Sequence, residues 1–233
     1  MKINLNSKLK SYKYNKGMTF IEIVVVMSIF AIISGVSLFN YKHFQAKVDL
    51  KNLTTNIALK ILTAQKDSAS GKLNPLAAST WKPSYGLYFD LSTSSPLVVG
   101  NKIFYIYSDF NAENSREFDV APISGGSYNC VQECVERVNI TNGNYIFDII
   151  DSAGNSLKAG QFIGCSGQAI DINFTRPNFG PVFHAPAIGV GCPWTLTYID
   201  IIIASPVFPT PVAPAYANTA RVRLHASGRI EVR

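Results

Sequence analysis

The chain has 233 residues, 47% of them hydrophobic and 15% charged, with a formal net charge of +6. That composition excludes a disordered chain, which needs low hydrophobicity and high net charge, and a single membrane-length apolar run excludes a multi-pass membrane protein. Lys2, Lys8, Lys10, Lys13 and Lys16 supply five of the six charges, so the body of the chain is close to neutral and net charge gives no case for nucleic-acid binding.

Residues 23–41 carry no formal charge. As a helix rising ~1.5 Å per residue, this stretch matches the hydrocarbon core of a bilayer. The five lysines before it place the N-terminus in the cytoplasm and the remainder of the chain outside. A cleaved secretory signal fits poorly, because the apolar stretch exceeds the usual ~7–15 residues and no A-x-A site follows. Glu22 is the awkward residue, since an ionisable group at mid-membrane costs ~2.5–3.5 kcal/mol on insertion scales.

Past residue 41 the apolar pattern turns periodic. Phe44, Val48, Leu50, Leu53, Ile57, Ile61, Leu62 and Ala64 recur largely at three- and four-residue steps, which predicts an amphipathic continuation with these residues on its packed face. One helix is predicted over 18–66, ending in the Asp67-Ser68-Ala69-Ser70-Gly71 stop signal. From residue 73 the period changes. Strands are predicted at 85–91, 102–108, 134–140, 144–150, 169–175, 195–204, 219–225 and 229–232, with Thr141-Asn142-Gly143-Asn144 as a hairpin turn between the third and fourth. The fold class is therefore α+β: a long helix packed on an antiparallel β domain, divided into residues 1–17, 18–41, 42–70 and 71–233.

The segment Lys16-Gly17-Met18-Thr19-Phe20-Ile21-Glu22, followed by the apolar run, resembles the type IV prepilin family, including type II secretion pseudopilins. The likeness covers residues 1 to about 41. It implies cleavage between Gly17 and Met18 by a membrane aspartyl prepilin peptidase, N-methylation of Met18, and assembly with other pilin subunits on an inner-membrane platform. Physical logic runs the same way. A buried Glu22 needs a positive partner, and cleavage at Gly17 creates an α-amine at Met18 that a neighbouring subunit could present. One acid per subunit would then set axial register, as a buried polar residue does in coiled coils.

The four cysteines, Cys130, Cys134, Cys165 and Cys192, fall in the part assigned outside the cytoplasm, which favours disulfides over zinc. Three pairings are open; Cys130–Cys134 with Cys165–Cys192 is preferred. Asp109-Phe110-Asn111-Ala112-Glu113 begins like a calcium loop but lacks the glycine at position six and the acid at position twelve, so an acidic hairpin tip is the plainer reading. Pro206, Pro209, Pro211 and Pro214 mark a stiff loop. Three scattered histidines and the absence of nucleophile-elbow, zincin or phosphate-loop motifs point away from an enzyme, and no cofactor or metal is expected. A covert hydrolase built on His184 and Asp200 has no support in spacing.

The C-terminal Arg221-Val222-Arg223-Leu224-His225-Ala226-Ser227-Gly228-Arg229-Ile230-Glu231-Val232-Arg233 resembles the closing hairpin of the minor pilins and pseudopilins that include the type II secretion minor pseudopilin H. On paired strands Arg221, Arg223, Arg229 and Arg233 would share a face with His225, diluted by Glu231. Arginine forks suit phosphate, and some minor pilins of this subgroup take up DNA through such a segment. The expected function is thus a structural minor pilin or pseudopilin, with membrane lipid as a further partner. The alternative is a tip-located pilin that binds DNA or a surface.

Overall fold

The computed structural model describes residues 17–74, 83–92, 101–109, 133–160, 168–177, 180–184, 196–209 and 218–233. They form α1 (Phe20–Ser70), β1 (Ser84–Asp90), β2 (Ile103–Asp109), β3 (Cys134–Asn139), β4 (Tyr145–Asp151), β5 (Ala169–Phe174), β6 (Pro181–His184), β7 (Tyr198–Ala204), β8 (Ala220–His225) and β9 (Ile230–Val232). The chain divides into two units, Met1–Lys42 and His43–Arg233.

In the first unit the helix starts two residues later than expected, because Thr19 caps it. The Thr19 N–H donates to Glu22 Oε2 (3.3 Å) and the Glu22 N–H donates to Thr19 Oγ1 (3.4 Å). This reciprocal pair is a capping box, and it satisfies two backbone donors that the first turn would otherwise leave open. The helix beyond it is long and apolar enough to cross a membrane, and none of the most apolar stretch is buried.

In the second unit, residues 43–70 of the helix bury Ala46, Leu50, Thr54, Ile57, Ile61, Ala64 and Ser68. Steps of four and three hold these on one stripe. Phe44 and Leu62, expected on that stripe, are instead 65% and 52% exposed. The predicted pattern favoured large apolar side chains, whereas the buried face takes small or self-satisfied ones where the sheets come close. Thr54, for example, returns its hydroxyl to the Leu50 carbonyl. The helix ends in a Schellman motif: Lys72 N–H donates to Asp67 O and Gly71 N–H to Ser68 O, with Gly71 at φ 65°.

Two antiparallel sheets share one core with this helix. The first has strand order β3-β2-β1-β5-β6 and the second β4-β7-β8-β9. The turn at 141–144 forms, with positive φ at Asn142 and Gly143 (59° and 73°), as an Asn-Gly turn requires. The hairpin expected around it does not. β3 pairs with β2, and β4 pairs with β7. The turn is a corner that passes the chain between sheets, tied by Ile146 N–H to Asn101 O and Ile140 N–H to Lys102 O. β6 had no prediction because its first residue is Pro181; it lies at a sheet edge, where a missing N–H is tolerated.

The three inner strands of the first sheet, β1, β2 and β5, are buried on both faces. Leu87, Phe89, Phe104, Ile170 and Ile172 face the helix core, while Tyr88, Tyr105 and Tyr107 form a second cluster on the other side. Gly86 sits beneath the Tyr107 ring, and a Cβ there would lie 2.5 Å from Tyr107 Cζ.

Candidate functional site

Two places hold the residues that the sequence singled out. At the N-terminus, Gly17 and Met18 precede the capped helix as exposed, non-helical chain. A protease needs extended backbone, and the capping box fixes where it ends. Thr19 was missed in the sequence reading, although Thr19-x-x-Glu22 before an apolar run is a legible capping signal. Among the described residues Glu22 bonds only within this box, so Oε1 retains acceptor capacity. The acid is therefore structural in the single chain and still able to accept a second donor.

At the C-terminus, β8 pairs with β9 in the register Val222↔Val232, Arg223↔Glu231, Leu224↔Ile230. Val222 and Leu224 enter the core, and the arginines take the opposite face. Two carboxylates organise that face. Asp200 on β7 stands opposite Arg223 and receives its Nε (2.7 Å) and Nη2 (2.8 Å) as a fork. Arg221 Nη1 lies 3.7 Å from the same acid, and the Arg223 guanidinium lies 3.8 Å above the Tyr198 ring. Glu231 gathers Arg233 (2.6 Å), Arg229 (2.6 Å) and His225 (3.0 Å).

The Arg233 hydrogen bond, with help from His225 and Arg229, holds the Glu231 carboxyl below its ordinary range. The Asp200 fork pushes the Arg223 guanidinium up. The sequence exposed Glu231 but not Asp200, which lies 23 residues from its partner. Each arginine of the expected cationic surface thus has an acid beside it, and Arg229 and Arg233 are the exposed members.

Other candidates fall apart or fall outside the described residues. His184 lies on β6 of the first sheet and Asp200 on β7 of the second, where the acid is held by Arg223. Cys134 is disulfide-bonded; Cys130, Cys165 and Cys192 lie outside the described residues, as do the Pro211–Pro214 loop and the Asp109 segment beyond its first residue. Among the described residues no three His, Cys, Asp or Glu side chains are grouped to hold a metal.

Comparison with known proteins gives one finding. The family of the prokaryotic N-terminal methylation motif matches residues 12–38. The N-terminus is type IV pilin-like. The methylation motif covers the Gly17-Met18 junction, the capping box and most of the apolar helix. The long apolar helix beside it fits a membrane-anchored subunit. No curated protein and no solved structure matches the chain.

Proposed function

We propose that this protein is a minor pilin or pseudopilin, cleaved between Gly17 and Met18, N-methylated on Met18, and built into a filament through its apolar helix. The observation that carries this is the methylation motif over residues 12–38 running into a membrane-length helix whose apolar side chains are exposed. Such a surface needs lipid or other helices to cover it. The minor role is supported by the size of the β domain, since a large domain crowds a repetitive array. Glu22 is assigned to assembly: its carboxylate accepts the Met18 α-amine of a neighbouring copy while keeping its own helix cap.

The test is mass spectrometry of the N-terminal peptide of protein isolated from native membranes. N-methyl-Met18 is expected. Intact Met1, or a first residue beyond Tyr41, would overturn the assignment. Glu22→Ala should leave membrane insertion intact and abolish incorporation into filaments, read by crosslinking to other subunits.

DNA binding by the closing hairpin ranks second. The exposed guanidinia of Arg229 and Arg233 favour it, and Glu231 between them opposes it. Duplex DNA that is held at low salt and released steeply as salt rises would support it.

A further inference from the structure

We propose that the cavity between α1 and the end of the closing hairpin binds one anionic phospholipid, with hydrocarbon on its apolar wall and phosphate on its lysine rim. The cavity measures about 360 Å³. Leu50, Phe208 and Val232 supply the wall, and Lys47, Lys51 and Arg233 carry the charges at its border. An apolar pocket with a few placed charges is the usual build of a small-ligand site.

Arg233 is already held by Glu231. Lys47 and Lys51 make no ion pair among the described residues. They stand one helical turn apart, where like charges repel each other unless an anion lies between them. The rim therefore asks for an anion and the wall asks for hydrocarbon, and one molecule supplies both.

Position selects a lipid over a soluble amphiphile, resting on residues 18–41 as the membrane span. Lys47 follows Tyr41 by six residues, which reach no further than ~20 Å even fully extended. Its charge is therefore tethered close to the headgroup layer. Phe208 of the wall also packs on His43, two residues past Tyr41 in the chain, with ring centroids 5.7 Å apart. A flat membrane surface would account for the lysines alone, by snorkelling; it would not account for a cavity of this volume behind them.

The test uses the full-length chain in phosphatidylcholine nanodiscs doped with phosphatidylglycerol bearing a photoreactive acyl chain, or with the matching phosphatidylcholine probe. The anionic probe should label the peptides containing Phe208 and Val232 above the zwitterionic one, by about fivefold for each lysine engaged. Lys47→Glu with Lys51→Glu should reduce that labelling to the zwitterionic level, and Lys47→Gln with Lys51→Gln should do so with an unchanged melting temperature. Label confined to residues 18–41, equal labelling by both probes, or labelling unchanged in both double variants would overturn the lipid site. Abolition by excess inorganic phosphate would assign the rim to free phosphate instead and overturn the lipid. Absence of label from residues 18–41 themselves would overturn the membrane span on which the site depends.

Discussion

Gly86 shows how tightly single positions are set. Its Cα lies under the Tyr107 ring, and an added methyl would also approach Ile172 O at 2.7 Å. Gly86→Ala forces the ring or the strand to move, an overpacking cost of roughly 1–3 kcal/mol. A melting temperature lowered by several degrees is expected; an unchanged one would show that the sheet gives way freely. Glu231 gives a second residue-scale outcome. Its carboxyl titrates lower in the folded chain than its ordinary 4.5 because Arg233, then His225 and Arg229, favour the charged form. A depressed carboxyl adds stability above the unfolded value and loses it as the pH falls through the folded one. Amide protection in β8 and β9, corrected for the intrinsic exchange rate at each pH, should therefore fall below about pH 4.5, and Glu231→Gln should remove that acid-dependent step.

At the scale of elements, the helix stripe makes a clear comparison. Ile57 is fully buried while Leu62 is 52% exposed. Ile57→Ala should cost ~2–5 kcal/mol through the cavity it leaves, and Leu62→Ala should stay within ~0.5 kcal/mol; denaturant midpoints of both variants in non-ionic detergent check the pair. Equal effects would place the helix rotated about its axis. The strands and the helix were largely legible in the sequence, because β-branched and aromatic runs between turn residues mark β1 to β5 and β7 to β9. The exceptions have physical causes. β6 hides behind Pro181, which disqualifies an interior strand but not an edge one. Phe44 and Leu62 obey the helical period but lose their places to Ala46, Thr54 and Ser68, whose small side chains admit a close approach. In β1 and β2 aromatic and aliphatic residues occupy both faces, and since both faces are buried, hydrophobicity could not tell inside from outside.

At the scale of the molecule, the N-terminal half of the candidate site could be read in the sequence, because a methylation motif is local: Gly17, Met18 and Glu22 lie within six residues and inside the matched 12–38. The C-terminal half could be read only in part. Arg221, Arg223, Arg229 and Arg233 announce a cationic face, but Asp200 arrives from another strand, and pairing registers across β7 and β8 cannot be counted along the chain. The apolar helix surface has its own consequence. With Phe20 82% and Phe30 68% exposed, the isolated chain should require detergent for extraction and self-associate when detergent is removed.

The corner at 141–144 changes how this domain should break. In a ribbon, loosening the tip frays two neighbours and leaves the remainder standing. Here the same four residues form one of the passages by which the chain crosses from one wall of a box to the other, so damage to Asn142-Gly143 would loosen both walls at that corner. Residues far from that corner, such as Leu87 in one wall and Ile201 in the other, share one interior, so the disturbance would reach both walls at once.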